Sequence, residues 1–317
     1  MDINGKTVFL AGATGLAGSA IIRWLVDGYP NARVRAVYNK TTPFIEHEKV
    51  EYAKGDLRSK QVCRELAAGC DYAVMGAANT GGAAVLESHP WSQINDNVIM
   101  NVQMLEAFAL EKLRRVVYIS TASLYHESDQ RISEDDLDLN RDPCDAHYGM
   151  GWVVRFIEKI CRFWHERCGV EILIARAANI FGPFDKFDPK TSNFIPALIR
   201  KAVEKHDPFE VWGSPDVTRD VIYSEDFAGA IVAMLSNDRI IFDVFNVGSG
   251  VKTKVADVVD WALKYAEHKP SSVQYRSDRP STLKFRSLNC AKSRELLGWK
   301  PCYSIEDGVR KTTEWWI

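Results

Sequence analysis

Residues 8–18 read VFLAGATGLAG, an apolar run that leads into glycines at positions 12, 15 and 18, and an apolar helical pattern follows. Glycine permits a tight turn, lets a phosphate approach the backbone and lets a helix pack closely on a strand. The start of the helix adds free N–H groups and partial positive charge. The stretch therefore predicts a dinucleotide-binding loop that uses Gly12, Thr14, Gly15 and Leu16, the alternative being a plain glycine-rich turn.

Around this loop, the first two thirds of the chain alternate short apolar runs with amphipathic stretches. The predicted strands are 7–10, 34–38, 50–53, 72–75, 116–120 and 172–175, and the predicted helices are 17–27, 60–68, 91–111 and 149–166. Short runs that are apolar throughout are typical of parallel strands covered on both faces. The pattern predicts an α/β fold, a Rossmann doubly wound parallel sheet.

Beyond about residue 180 the composition shifts, and Pro and Gly punctuate shorter elements. This shift indicates a smaller C-terminal α/β domain. We expect a dinucleotide-binding domain at 1–180, rejoined by about 220–248, and a second domain at 181–317, to which the resemblance given below assigns the binding of a nucleotide sugar.

The composition excludes several classes of protein. The chain has 40 basic and 42 acidic residues, a formal charge of −2, and no Lys/Arg run that would grip nucleic acid or anionic lipid. Its apolar stretches fall short of the ~20 residues of a membrane helix, and its N-terminus does not resemble a secretory signal. Seven cysteines without a CxxC pair favour reduced thiols. We expect a cytoplasmic protein with no nucleic-acid partner, no membrane partner and no metal.

The ends of the second and third strands bear on the choice of cofactor. Asn39 stands where an NAD-binding chain usually has Asp or Glu to hold the ribose hydroxyls. Its amide can bond both hydroxyls without repelling a 2′-phosphate, which Lys40 can attract, so NADP stays open. We expect NAD because no Arg lies at the loop or the strand end. Asp56 and Leu57 follow the third strand and suit an adenine contact, although Asp56 can equally be a helix cap.

Several further segments carry a resemblance to a known family. They are GATGLAG at 12–18, GDL at 55–57, Ala77 and Ala78 before two glycines, STASLY at 120–125 and RAANIFGP at 176–183. Together they resemble extended short-chain dehydrogenase/reductases, which act on nucleotide sugars. The segments FDP at 187–189, SNFIPALIRK at 192–201 and VWG at 211–213 resemble GDP-L-fucose synthases. The resemblance covers nearly the whole chain and implies a GDP-sugar pocket, with Ala77, Ala78 and Thr121 beside the cofactor.

The family's chemistry uses a Ser or Thr, then a Tyr, and a Lys four residues after the Tyr. Thr121 matches the hydroxyl, but two registers compete for the Tyr. Tyr148 gives one register, and the other places Met150 at the Tyr and Val154 at the Lys. We favour Met150, because Tyr148 would point ~200° around the helix from that slot at 3.6 residues per turn. The Lys is absent in both registers, and a relay through Thr121, a water, Tyr148 or His147 is a hypothesis.

The resemblance also assigns positions that concern the sugar nucleotide. Fucose synthases epimerise with a Cys and a His, and the matching Ser123 and Asn193 are neither acids nor bases near neutral pH, so epimerisation is disfavoured. The implied substrate contacts are Lys201 and Arg219 at the diphosphate, Trp212 at the base, Asn179 and Asn193 near the sugar, and Arg279 in a late loop. The alternatives are solvated charges for Lys201 and Arg219, a core residue for Trp212 and a turn residue for Asn179.

A fucose-synthase-like chain that has Met at the Tyr position and lacks the epimerising Cys and His resembles the GDP-heptose 4-dehydrogenases of bacterial capsule pathways. That implies oxidation of GDP-D-glycero-α-D-manno-heptose at C4 by NAD, with a second carbonyl compound reoxidising a tightly held NADH. Two alternatives stay open, a GDP-4-keto-sugar reductase and a catalytically silent regulatory protein that binds NADH and a GDP-sugar. The apolar surface of the 149–166 helix exceeds what one sheet contact needs, which predicts a homodimer.

Overall fold

The computed structural model describes residues 2–80, 89–276 and 287–317, in which helices and strands alternate as the sequence predicts. The helices are α1 (Leu16–Gly28), α2 (Lys60–Ala67), α3 (Asn95–Leu110), α4 (Tyr148–Cys168), α5 (Phe194–Val203), α6 (Ser224–Ser236), α7 (Val255–Tyr265), α8 (Ala291–Leu297) and α9 (Ile305–Trp316). The strands are β1 (Thr7–Ala11), β2 (Arg33–Tyr38), β3 (Val50–Lys54), β4 (Tyr72–Met75), β5 (Arg115–Thr121), β6 (Arg131–Ile132), β7 (Glu171–Ala177), β8 (Asn179–Phe181), β9 (Phe209–Trp212), β10 (Thr218–Arg219), β11 (Val221–Tyr223), β12 (Phe242–Val247), β13 (Thr253–Lys254), β14 (Val273–Arg276) and β15 (Ser287–Leu288).

Among the described residues, seven parallel strands form the central sheet in the order β12-β7-β5-β4-β1-β2-β3. This order confirms the Rossmann-type α/β fold. Each of the six predicted strands lies within an observed strand that extends it by at most two residues at either end. The seventh strand, β12, escaped prediction because Asp243 and Asn246 interrupt its apolar pattern.

The helices also follow the predictions, with one correction. The helix predicted over 91–111 is divided into a 3₁₀ turn at Pro90–Gln93 and α3, which begins at Asn95. A proline in the first turn and a 3₁₀ start are common at helix N-termini. In the described part of the chain, no helix combines the length and apolarity that a membrane span requires.

Within the described residues, buried side chains form three hydrophobic clusters. One lies between the sheet and the helices α1 and α6, and the second lies between the opposite face and α2, α3 and α4. The third packs α5, α7 and α9 together and is built from Phe181 and residues that follow it in the chain. Phe245 of β12 and Trp299 belong to the first cluster, so the chain returns to the sheet after residue 181. The exact division into two domains stays a prediction.

Candidate functional site

The glycine loop (residues 12–15), between β1 and α1, is closely packed. Gly12 has a φ of +77°, and a Cβ there would lie 2.7 Å from the carbonyl oxygen of Gly76, directly after β4. A Cβ on Gly18 would overlap the Gly12 carbonyl and lie 2.7 Å from the Cα of Ala13. Glycine at both positions is therefore what allows β1, α1 and the end of β4 to meet.

The N-terminus of α1 fits an anion. Its N-cap is Gly15, which has no side chain to accept from the first N–H groups, and within this fully described helix the first turn carries no acidic side chain. Unpaired N–H groups and the helix dipole make such an end suitable for a phosphate. Thr14 is half-buried and Leu16 opens the helix, so the residues present fit the diphosphate of a dinucleotide.

The loops after β2 and β3 carry the residues expected beside the adenosine half of the cofactor. Asn39 is exposed at the end of β2. Asp56 accepts from the guanidinium and the backbone N–H of Arg58, and these hydrogen bonds lower the pKa of Asp56 to about 2. The cap of α2 is Ser59 rather than Asp56. Leu57 is buried in the second cluster, and Asp56 is already held by an arginine.

The loop after β4 is tied to the start of α4. Ala77 is half-buried and Ala78 is exposed. The backbone of the next residue, Asn79, pairs with the side-chain amide of the fully buried Asn97: the Asn79 N–H donates to Asn97 Oδ1 at 2.8 Å, and Asn97 Nδ2 donates to the Asn79 carbonyl oxygen at 2.9 Å. The Asn97 amide also lies 3.7 Å from the sulfur of Met150. Sequence analysis did not identify Asn97, although a polar residue on the apolar face of a helix could have indicated a buried hydrogen-bonding role.

The hydroxyl candidates meet at the end of β5. Thr121 Oγ1 lies 3.2 Å from Ser123 Oγ and accepts from the Ser123 N–H at 3.2 Å. The first turn of α4 packs against them, since a Cβ on Gly151 would lie 2.9 Å from the Ser123 carbonyl oxygen. In that turn Met150 is half-buried between the first two clusters, whereas Tyr148 is exposed over about half of its surface.

Val154, one turn after Met150, is buried in the first hydrophobic cluster. In the Met150 register, Val154 occupies the position of the family's lysine. This position therefore contributes apolar surface to the core. A lysine there would be desolvated, which makes its charged form costly. The burial of position 154 therefore agrees with an apolar residue there in place of the usual lysine.

A buried polar network lies directly behind Thr121. Arg176 of β7 pairs with Glu158 of α4, donating from Nε to Oε1 at 3.1 Å and to Oε2 at 3.3 Å, and from Nη2 to Oε2 at 2.7 Å. Ser120, the neighbour of Thr121, donates to the same carboxylate at 2.7 Å. The network joins β5, β7 and α4, and it fixes the strand end that carries the candidate hydroxyl.

Tyr125 belongs to this network and is not a substitute for the missing phenolate. Its hydroxyl accepts from Arg176 Nη1 at 2.9 Å and donates to Asn246 Oδ1 at 2.7 Å. Burial raises the pKa of Tyr125 in spite of the neighbouring cation, so the phenol stays protonated. Sequence analysis did not identify these partners, although an Arg within the apolar run ILIARA and a Glu among apolar residues of α4 could have indicated them.

Two of the predicted substrate residues meet at Glu210, in β9. Lys201 of α5 donates to the Glu210 carbonyl oxygen at 2.9 Å, and Trp212 donates from its ring nitrogen to the Glu210 carboxylate at 3.0 Å. Burial lowers the pKa of Lys201, while the charge of Glu210 opposes that change. The Trp212 ring is 43% exposed and leaves a flat apolar face at the surface.

The other predicted substrate residues are spread around the start of α5 and β8. Asn193 is the exposed N-cap of α5, and the Arg219 guanidinium lies 5.8 Å from the centre of the neighbouring Phe194 ring. Asn179 is exposed at the first position of β8. Arg279 lies outside the described residues.

A parallel sheet with a glycine loop at its carboxyl edge, beside a hydroxyl at the end of β5, defines a dinucleotide-binding protein of the Rossmann class. The chain belongs to the NAD dependent epimerase/dehydratase family, whose model matches residues 8–248. This finding confirms the predicted family and, at the level of the family, the predicted NAD cofactor.

Comparisons with individual proteins agree with that assignment. The chain is 27% identical to a GDP-L-fucose synthase of Sinorhizobium fredii over 98% of this chain and 96% of the relative. Its fold is similar to UDP-glucose 4-epimerase of Thermotoga maritima, with a TM-score of 0.85, 19% identity and coverage of 98% of both chains. It is also similar in fold to a GDP-6-OMe-4-keto-L-xylo-heptose reductase of C. jejuni, with a TM-score of 0.83, 20% identity and coverage of 100% and 98%.

Proposed function

We propose that this protein is an NAD-dependent oxidoreductase that oxidises C4 of a GDP-sugar, GDP-D-glycero-α-D-manno-heptose, to its 4-keto form in capsular polysaccharide biosynthesis. The observation that carries the proposal is the start of α4, where Met150 lies beside Asn97 and Val154 is buried in the core. These two positions supply neither a phenol nor an amine, whereas the glycine loop and Thr121 are retained. The similarity to a GDP-L-fucose synthase over nearly the whole chain supports a GDP-sugar as the substrate.

When bound, NAD supplies the hydride acceptor, while the protein binds, orients and provides a path for the proton. The N-terminus of α1 binds the cofactor diphosphate through backbone N–H groups. Thr121 Oγ1 accepts a hydrogen bond from the sugar hydroxyl, and Ser123 Oγ, 3.2 Å away, continues the path toward water. Neither hydroxyl is a base near neutral pH, so we expect turnover slower by ~10²–10⁴ than with a general base.

The sugar nucleotide is bound by residues that surround α5 and β9. Lys201 and Arg219 offer two cations for its diphosphate, which suits charge-assisted hydrogen bonding. The exposed face of Trp212 suits stacking on the guanine, and Asn179 and Asn193 offer amides for the sugar. A second carbonyl compound would then reoxidise NADH at the same site.

The same groups serve the reverse reaction, so a GDP-4-keto-sugar reductase is the second candidate. The structural likeness to a C. jejuni reductase of a GDP-keto-heptose favours it. We also propose a homodimer, because α3 and α4 and the turn before α3 present large exposed apolar side chains. These are Trp91, Ile99, Leu110, Trp152, Phe156 and Phe163.

The test is the near-ultraviolet absorbance of the nicotinamide during a single turnover with NAD or NADH and a panel of GDP-sugars and their 4-keto forms. Oxidation predicts that GDP-D-glycero-α-D-manno-heptose produces NADH stoichiometrically, and that GDP-mannose does so less. A reductase would consume NADH only with a 4-keto sugar. Saturable binding of every sugar without any change in absorbance would overturn both candidates and leave a regulatory binder.

A further inference from the structure

The segment that follows β8 reaches back to the edge of the central sheet. Lys186 Nζ donates to the Thr80 carbonyl oxygen at 2.8 Å and lies 3.1 Å from Thr80 Oγ1. Thr80 lies five residues beyond the end of β4, in the loop that contains Ala77 and Ala78. This contact joins two segments that are 106 residues apart in the chain.

The same segment makes a second contact, with the loop after β2 and with α1. The ring of Phe184 lies 5.3 Å from that of Phe44, which is six residues beyond the end of β2. The guanidinium of Arg23, on α1, lies 5.4 Å from the centre of the Phe184 ring. Phe184 itself has a φ of +66°, which an aromatic residue rarely adopts unless its surroundings hold it there.

The segment is anchored at its far end in the third hydrophobic cluster. Phe187 is 5% exposed and stacks on Trp316 of α9, with ring centres 4.0 Å apart and planes 9° from parallel. The contacts with Thr80 and Phe44 therefore connect a firmly packed part of the molecule to the cofactor edge of the sheet.

The strand order shows what lies between the two contacts. β1 is the strand between β4 and β2, so the two loops that the segment contacts follow the strands on either side of the carboxyl end of β1. The glycine loop begins there, and a dinucleotide binds across this edge in such folds. Lys186 also brings a positive charge to an edge at which a diphosphate binds.

We propose that residues 182–187 form a strap that covers the bound dinucleotide, fastened by Lys186 to Thr80 and by Phe184 to Phe44, and that the strap sets the rate of cofactor release. The inference goes beyond the proposed function, because it depends on the cofactor site and not on the sugar or the direction of hydride transfer.

The test is the release rate of bound NADH, followed by the loss of its protein-enhanced fluorescence after mixing with excess ADP-ribose. Lys186→Met and Phe44→Ala should each raise the rate by about tenfold or more, the effect of losing one charge-assisted hydrogen bond or one aromatic contact. Lys190→Met, which alters an exposed lysine just beyond the strap, is the matched control and should leave the rate within twofold.

Phe44 is 55% exposed, so its replacement should leave the fold intact, and thermal melting of each variant verifies this. The double variant should release NADH little faster than the faster single variant, since either change opens the same strap. Rates within twofold of the original for both single variants, or multiplied effects in the double variant, would overturn the proposal. Because no sugar is present, this outcome is independent of the test of GDP-sugar oxidation.

Discussion

Arg176 and Glu158 form an ion pair that is more than nine-tenths buried and that holds the two strands of the candidate site to α4. Ser120 donates to the same carboxylate, and its neighbour in the strand is Thr121. A buried pair of this kind adds little stability by itself, but the loss of one partner leaves the other charge unpaired. The pair is therefore a sensitive point for both the fold and the position of Thr121.

Replacement of this carboxylate should be strongly destabilising. We expect Glu158→Gln to lower the free energy of unfolding by ~3–5 kcal/mol, because Arg176 is left buried without its counter-charge. Urea denaturation measures the change. The control is Glu166→Gln, which breaks an exposed pair with Arg162 on the same helix and should change the stability little. Similar losses for the two variants would show that the buried network does not have this role.

The role of Tyr125 can be separated from proton transfer. Tyr125→Phe removes a hydroxyl that makes two buried hydrogen bonds, so we expect a loss of ~1–3 kcal/mol in stability. Because burial raises the pKa of Tyr125, the pH profile of turnover should keep its shape. A rate loss above about a hundredfold together with a displaced profile would instead identify Tyr125 as the proton acceptor.

The hydroxyl at the end of β5 should matter more for catalysis than its neighbour. Thr121→Val preserves the shape of the side chain but removes the oxygen, and we expect kcat to fall by ~10–10², the effect of losing one hydrogen bond of about 1–3 kcal/mol. Ser123→Ala should have a smaller effect, because Ser123 acts only through Thr121. Steady-state kinetics with the best GDP-sugar compares them, and equal kcat values for Thr121→Val and the original protein would remove Thr121 from the reaction.

The strap contains a carboxyl group whose ionisation should weaken it. Burial raises the pKa of Asp185 to about 7, although the N–H and the charge of Lys186 oppose the shift. The folded state therefore favours the protonated form of Asp185, and its protonation stabilises the fold. This stabilisation is complete below pH 3.8, the ordinary pKa of the group, and is lost as the pH rises to about 7.

Asp185→Asn should therefore remove part of the pH dependence of stability. The difference in melting temperature between this variant and the original protein should grow in favour of the variant as the pH rises toward about 7, and then level off. Thermal melts across that range provide the measurement. A difference that is constant with pH would show that Asp185 does not titrate in this window.

Sequence reasoning was most accurate where the signal is local. The glycine loop and the six predicted strands are contiguous patterns, and the structure reproduces them nearly residue for residue. The partners that organise the site come from distant segments: Ser120 and Glu158 are 38 residues apart, and Lys186 and Thr80 are 106 apart. A buried Asn97 or Arg176 looks like any polar residue until the fold shows what surrounds it.

The central claim is that a hydride leaves C4 of a GDP-sugar although α4 provides neither a phenol nor an amine at the expected positions. The most direct measurement uses GDP-D-glycero-α-D-manno-heptose deuterated at C4 and mass spectrometry of the nicotinamide recovered after one turnover. The account predicts deuterium in the reduced cofactor and a 4-keto sugar as the product. Reduced cofactor without deuterium, or an unchanged sugar and fully oxidised NAD, would contradict it.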